Sequence, residues 1–288
     1  MKRIACIIVT YNRLQLLKEC INSLKNQTYS SFDIIVVNNG SSDGTQEWLL
    51  GQKDIRTITQ ENLGGAGGFY TGMKTAYDDG YEWVWMMDDD GVAEKAQLEN
   101  LLEGAENCQS KFLNALVCNI CNPELLSFSL VLNGSVIKRV DEAKQQSFIF
   151  DSINPFNGTL IHRDVIERIG FVKKEMFIWG DEIEYTLRAK MAGFKQFTIT
   201  SAIHFHPSIK SPQLRIIPFI KRYTVDVPSN KERAYIKYRN NGYICHTYYP
   251  NKEIIEKMKY AIYFITHLKF KEYISFLKWF NRGKKNLF

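Results

Sequence analysis

The sequence predicts an α/β protein built on a mostly parallel sheet flanked by helices, and three observations carry that prediction. Apolar runs of strand length alternate with helix-length segments through the first half of the 288 residues. Four of these runs or helix starts are met by polar or glycine-rich segments, at the carboxyl ends of strands, where open parallel sheets bind ligands. Residues 231–288 change character: they are helical in pattern and rich in aromatics. The expected organisation is a catalytic α/β domain over residues 1–207 and a mainly helical, basic and aromatic extension over 208–288.

The elements follow in order. Residues 4–9, Ile-Ala-Cys-Ile-Ile-Val, read as a first buried strand. The preceding Lys2-Arg3 gives this stretch a superficial likeness to a secretory signal. The apolar run is too short, lacks a small-residue cleavage pattern, and is followed at once by Tyr11-Asn12-Arg13. Leu14, Leu16, Leu17, Cys20, Ile21 and Leu24 recur at helical spacing across 13–25. Residues 32–37 make a second strand, 39–44 a turn, 47–49 a short helix and 55–59 a third strand. The glycines of 64–68 open a helix through Tyr77, and 83–87 form a fourth strand.

The middle is less regular, with strands read at 113–118, 128–132 and 147–150 and a short apolar segment at 157–161. A helix over 162–169 stops at Gly170, and one opening at Asp181 stops at Gly193. A strand over 197–203 leads to His204-Phe205-His206-Pro207. Pro212, Pro218 and Pro228 then break the pattern before the helical extension.

Composition narrows the class. Hydrophobic content of 45% and charged content of 24% are ordinary for a globular chain. No apolar run of about 18 residues is present, so no transmembrane helix is predicted. Six cysteines make no disulfide framework, and Cys118-x-x-Cys121 lacks a second pair or nearby histidines for zinc. Reduced thiols and a cytoplasmic location are the expectation. Nine of the 37 basic and three of the 31 acidic residues fall in 251–288, so this segment carries the whole net charge of +6. No nucleic-acid partner is predicted.

Four constellations carry chemistry. Trp83-Val84-Trp85-Met86-Met87-Asp88-Asp89-Asp90 runs a buried strand into three acids. Alternation puts Asp88 and Asp90 on one face and Asp89 on the other. Two carboxylates there suit Mg²⁺ or Mn²⁺ and the phosphates such ions hold. The alternative is a solvated loop whose acids cap a helix starting near Ala93. In Asn62-Leu63-Gly64-Gly65-Ala66-Gly67-Gly68-Phe69, four glycines let a backbone approach a ligand and precede a helix N-terminus that favours anions; otherwise they make a tight turn. The spacing matches neither a dinucleotide fingerprint nor a P-loop. Trp179-Gly180-Asp181-Glu182 opens a helix with two acids, which serve either as helix charges or as a general base. Glu184, further along, reads as a structural or acceptor contact. His204 and His206 close the series as metal ligands or as satisfied structural residues.

The segments 9–13, 37–45, the Asp88–Asp90 triplet and Asp181-Glu182, taken in order, resemble family 2 glycosyltransferases of the GT-A fold. The 62–69 segment is similar, more narrowly, to galactofuranosyltransferases. The resemblance covers roughly residues 1–206; beyond, only Tyr238-Arg239-Asn240 matches. It implies a nucleotide-sugar donor bound by Thr10, Tyr11, Asn12, Arg13, Asn38, Asn39, Gly64, Gly65, Asp88 and Asp89. Asn38 stands where the family commonly has an aspartate against the uracil. The resemblance further implies a metal held by Asp88, Asp90 and His206, with His204 as the other choice. It implies a base at Glu182 beside Asp181, in place of the usual aspartate, and an acceptor sugar at Trp179 and Glu184.

The implied activity is an inverting transfer of galactofuranose from UDP-galactofuranose onto a saccharide or lipid-linked saccharide. A rhamnosyltransferase using dTDP-rhamnose competes within the class. A non-catalytic nucleotide-sugar-binding scaffold competes from another class, though the intact acids and histidines argue against it. A nucleotidyltransferase would want basic residues in the glycine loop, which has none. In the extension, Ile254, Ile255, Met258, Ile262 and Ile265 keep helical spacing. Further on, Phe270, Tyr273, Ile274, Phe276, Leu277, Trp279 and Phe280 interleave with six basic residues. This pattern suits peripheral contact with an anionic membrane, at the inner face of the cell membrane; packing on the catalytic domain or in a homo-oligomer is the alternative.

Overall fold

A computed structural model of the chain describes residues 2–208, 213–217, 220–228 and 230–288. The first half alternates as its pattern predicts: β1 (Ile4–Thr10), α1 (Leu14–Lys25), β2 (Asp33–Asn38), α2 (Thr45–Leu50), β3 (Ile55–Thr59), α3 (Gly64–Asp78) and β4 (Trp83–Asp88). Then come β5 (Val92–Ala93), α4 (Gln97–Asn107), β6 (Phe112–Asn119), β7 (Leu125–Leu132), β8 (Ser135–Arg139), α5 (Val140–Ala143), β9 (Phe148–Phe150) and β10 (Asn157–His162). The series continues through α6 (Arg163–Ile169), α7 (Asp181–Met191), β11 (Gln196–His206), β12 (Gln213–Ile217), β13 (Ile220–Asp226), α8 (Lys231–Tyr248), α9 (Pro250–Thr266) and α10 (Phe270–Lys284).

The chain divides into two compact units, Met1–Lys174 with Tyr185–Ile209, and Glu175–Glu184 with Lys210–Phe288. The first unit is built on an 11-stranded sheet with the central order β3-β2-β1-β4-β10-β6-β11-β5. β1 pairs in parallel with β2 and β4, and β2 with β3; β10 runs antiparallel between β4 and β6, and β11 is parallel to β6. The inner strands are covered on both faces, which is why β1 and the apolar part of β4 are buried throughout. Helix α1 buries Leu17, Cys20, Ile21 and Leu24 on one stripe against this sheet.

The second unit has its own core, in which Tyr238, Tyr260, Tyr263, Phe264, Phe276 and Phe280 pack ring on ring. Helices α8 and α10 cross so closely that glycine is required on both. A Cβ at Gly242 would overlap the Phe280 carbonyl, and one at Gly283 the Arg239 carbonyl.

Several expectations are corrected. No helix starts near Ala93: Val92–Ala93 is a short strand on β11, and α4 begins only at Gln97, so the Asp triplet does not cap it. The last strand of the sheet runs on to His206, which places both histidines inside it. The proline-broken stretch contains an antiparallel hairpin, β12–β13, while Pro212 and Pro218 lie outside the described residues. The tail aromatics Phe276 and Phe280 are core residues, with Tyr273, Leu277 and Trp279 packed beside them.

Candidate functional site

In the first unit the polar segments gather at the carboxyl ends of β1, β2, β4 and β11. β4 carries Asp88 at its end, and Asp89 and Asp90 follow in the turn closed by the Gly91 N–H on the Asp88 carbonyl at 3.3 Å. Asp89 is buried and turns toward β1, where Thr10 Oγ1 donates to it at 2.7 Å and Arg13 Nη1 at 3.1 Å. Asp90 accepts from Arg13 Nη1 at 2.8 Å, and its Oδ1 faces His206 Nε2 at 3.1 Å. Asp88, Asp90 and His206 each offer a ligand atom, all within 4.8 Å of one another.

The electrostatics follow from the crowding. Burial first, then the charges of Asp90 and Asp89, push the Asp88 carboxyl up to about 7. Burial acts the same way on Asp90, but the hydrogen bond and charge of His206 and the charge of Arg13 outweigh it and hold that carboxyl below its ordinary value. His206 is raised above its ordinary value: burial opposes the imidazolium, and the Asp90 carboxylate more than offsets it. Two carboxylates and an imidazole form a hard, anionic donor set that a divalent cation neutralises, leaving its remaining positions to water and phosphate. The residues present therefore fit Mn²⁺ or Mg²⁺.

His204 does not join this group. It is fully buried, its Nδ1 lies 3.5 Å from Gln97 Oε1, and its Nε2 packs under Gly91, where a Cβ would overlap it. Burial pushes its imidazole down to about 3, so it stays neutral. Of the two histidines, His206 is the one placed on the acids.

The neighbouring loops are stitched together. Asn39 N–H donates to the Thr10 carbonyl at 2.9 Å, and Asn39 Nδ2 to the Gly64 carbonyl at 2.9 Å. Asn12, in the left-handed region at φ 54°, accepts the Ser42 N–H at 2.7 Å, and its own N–H donates to Ser41 Oγ. Asp43 reaches across to accept the Leu14 N–H at 2.9 Å, one of the unpaired donors of the first turn of α1. Asn38 is buried, with its Oδ1 accepting from Ser41 N–H and its Nδ2 donating to Gln46. Tyr11 is exposed. Gln46 and Gln60, which brace these loops, went unread in the sequence because isolated glutamines carry no pattern.

The glycine run divides in two. Gly64–Gly68 is not a free loop but the first turns of α3. A Cβ at Gly67 would overlap Leu63, one at Gly68 would overlap Val9, and one further along at Gly72 would overlap Ile7. Gly68 and Gly72 serve the close packing of α3 on β1, while Gly67 makes room for Leu63 at the start of α3 itself. Gly65 differs: nothing lies within 4 Å of a Cβ there, so its lack of a side chain answers no packing need.

In the second unit, residues 175–184 form a taut turn into α7. Phe177 (φ 66°), Trp179 (φ 62°) and Gly180 (φ 95°) are all left-handed, which costs about 1–2 kcal/mol for each non-glycine. Trp179 is 38% exposed, and Arg233 lies over its ring at 5.8 Å. Asp181 is buried and Glu182 half-buried, with Glu182 Oε2 accepting the Gly180 N–H at 2.9 Å. Glu184 is 0% exposed and accepts from Tyr248 at 2.7 Å. All three acids lie in the first turn of α7, where negative charge is favourable.

Comparison with known proteins adds to this geometry. Residues 5–124 match the family described as Glycosyl transferase family 2. Galactofuranosyltransferase GlfT1 of Mycobacterium tuberculosis (strain H37Rv) is 32% identical over 246 residues, covering 83% of this chain and 80% of the relative. GlfT1 of Mycolicibacterium smegmatis is 30% identical over 251 residues, covering 84% and 82%. Among solved structures, S. aureus TarS 1–349 in complex with UDP-GlcNAc superposes with a TM-score of 0.60 at 15% identity, covering 98% of this chain and 81% of that one. The α/β architecture is that of the GT-A glycosyltransferases.

Proposed function

The chain belongs to glycosyl transferase family 2 and is galactofuranosyltransferase-like, and on that premise we propose that it transfers galactofuranose from UDP-galactofuranose to a saccharide or lipid-linked saccharide hydroxyl, inverting the anomeric centre. The observation that carries this reading is the likeness to GlfT1 over more than four fifths of the chain, with the acids and the histidine of the site all present. The donor lies against Thr10, Tyr11, Asn12, Arg13, Asn38, Asn39, Gly64, Gly65, Asp88 and Asp89.

Asp88, Asp90 and His206 would hold Mn²⁺ or Mg²⁺. When bound, the ion supplies positive charge to the departing diphosphate. Glu182 accepts the proton of the acceptor hydroxyl. The hydroxyl oxygen bonds to the anomeric carbon from the face opposite the nucleotide, and UDP leaves with the bonding electron pair. A single displacement inverts the configuration. Asp181 stands beside Glu182 as the competing base, and Trp179 offers an aromatic face to the acceptor.

A donor screen by nucleoside-diphosphate release, with and without Mn²⁺, tests the reading. UDP release from UDP-galactofuranose, with the inverted linkage seen by NMR of the product, is the expected result. Faster turnover of dTDP-rhamnose would reassign the donor. Tight donor binding with no turnover on any acceptor would favour a scaffold.

A lipid-linked acceptor brings the membrane into the proposal. Among the described residues no helix is long and apolar enough to cross a bilayer. Helix α9 nevertheless has two apolar faces. Its inner face puts Tyr260, Tyr263 and Phe264 in the core, while Ile254, Ile255, Met258, Ile262 and Ile265 face outward. Leu268, Phe270 and Ile274 continue the exposed set, with Lys252, Lys269, Lys271 and Lys278 exposed in the same segment. Apolar side chains ringed by lysines suit an anionic leaflet, each lysine adding roughly 1 kcal/mol at low salt. This pattern supports a cytoplasmic enzyme at the inner membrane face; a homo-oligomer is the competing use of the same surface.

A further inference from the structure

Among the described residues, α8 supplies six hydrogen bonds that hold residues 175–184. Asn240 Nδ2, on α8, donates to three carbonyls of the turn: Met176 at 2.9 Å, Ile178 at 3.1 Å and Trp179 at 2.8 Å. Arg239 Nη2 donates to the carbonyls of Glu175 at 3.1 Å and Met176 at 3.0 Å. Arg239 also donates through Nε and Nη2 to Asn240 Oδ1, at 3.1 and 3.0 Å. That contact fixes which end of the Asn240 amide faces the turn, because only the NH₂ end can satisfy carbonyls.

Both side chains are buried, and the guanidinium is further enclosed by the rings of Tyr235 at 5.1 Å and Phe288 at 4.9 Å. One and two turns on from Asn240, Ile244 meets Gly180 and Tyr248 holds Glu184. The turn carries two left-handed non-glycine residues, so its shape must be imposed from outside. Among the described residues, Asn240 and Arg239 are placed to impose it.

We propose that Asn240, oriented by Arg239, is a positioning residue for the transfer reaction. It imposes the left-handed turn at 177–180 and so sets the direction in which Trp179 and Glu182 are presented. The inference rests on Glu182 being the base. It gives the Tyr238-Arg239-Asn240 segment a role: the buried Arg239–Asn240 pair acts through the backbone of the turn. Replacing Asn240 removes donors from three carbonyls at once, and the two strained residues relax. A displacement of about 1 Å at a base can cost about a hundredfold in rate.

The test compares Asn240→Ala, Asn240→Ser and Glu182→Gln in the full chain. Steady-state kinetics with donor and acceptor varied separately are set beside calorimetric binding of UDP with Mn²⁺. The expected result is a graded fall in kcat, with Asn240→Ser (one donor kept) above Asn240→Ala, about 10- to 100-fold below the parent protein. Acceptor KM should rise, and UDP affinity should stay within about twofold, since kcat loss without donor loss marks misplacement and not general unfolding. The proposal is overturned if Asn240→Ala or Asn240→Ser, folded by circular dichroism, keeps kcat while only its melting temperature falls. It is equally overturned if UDP affinity falls in step with kcat. Retained activity in Glu182→Gln identifies a different failure, that of the base assignment itself.

Discussion

Metal affinity should depend on pH in a way the Asp88 environment fixes. With that carboxyl pushed up to about 7, a cation must displace its proton at lower pH. For one competing proton the apparent Kd scales as one plus ten to the power (pKa minus pH), so it is weakened about 1.1-fold at pH 8, about 2-fold at pH 7 and about 11-fold at pH 6. Asp88 alone thus predicts about a tenfold loss of Mn²⁺ affinity from pH 8 to pH 6, or about 1.4 kcal/mol. His206, raised by its Asp90 partner, carries a second proton on the acid side and steepens the fall. Asp90, held low, stays ionised throughout and adds nothing to the slope. Isothermal titration of the protein with Mn²⁺, in two buffers of different ionisation enthalpy, reads both affinity and protons released. An affinity that changes less than twofold between pH 8 and pH 6, with no proton release, would refute the ligand assignment. Sign matters for stability as well. The raised Asp88 value means that the metal-free fold loses stability as pH rises from the unfolded value near 4 toward 7, so Mn²⁺ should raise the melting temperature more at pH 8 than at pH 6.

Glu182→Gln should leave UDP affinity intact and lower kcat by about 10²–10⁴-fold, the usual share of a general base; loss in Asp181→Asn instead would move the role to the buried neighbour. Gly65→Val should fold normally, because a Cβ there meets nothing within 4 Å, yet raise the donor KM; an unchanged KM would remove Gly65 from the donor site. Gly68→Ala should instead lower stability by about 1–3 kcal/mol through overlap with Val9, read as a shifted denaturation midpoint. Ile255→Glu with Ile262→Glu should abolish cosedimentation with anionic vesicles while sparing activity on a short soluble acceptor; failure of the parent protein to bind such vesicles at low salt would end the membrane reading.

The strand–helix rhythm of residues 4–88 was legible because parallel strands buried on both faces write unbroken apolar runs. Asp88 and Asp90 do come together, but β4 ends at Asp88 and it is the turn after it, not alternation, that carries Asp90 there. What separates His206 from His204 lies elsewhere in sequence: Gly91, seated over the His204 ring, and Gln97 beside it. Glycine runs were ambiguous for a physical reason. Glycine is a poor helix former, so a run at 64–68 reads equally as a turn or as ligand approach at the start of its helix, while Gly68 against Val9, with Gly72 against Ile7 further along, is there for close packing. The tail misled in the opposite sense. Phe276 and Phe280 have the spacing of a membrane face, and only tertiary packing turns them inward and leaves Ile254 and Ile255 outside. For that reason truncation within α9 would remove core, not an appendage.

The two glycines at the crossing of α8 and α10 also fix an order of events during synthesis. Gly283 lies directly on the carbonyl of Arg239, so the stretch of α8 that carries Arg239 and Asn240 gains this close neighbour only once α10 has been made. A nascent chain that has emerged only as far as α9 already contains Asp88, Asp90 and His206. It does not yet contain α10, the helix that α8 crosses at Gly242 and Gly283. The candidate metal ligands are thereby translated before the helix that packs closest on the part of α8 bracing the 175–184 turn.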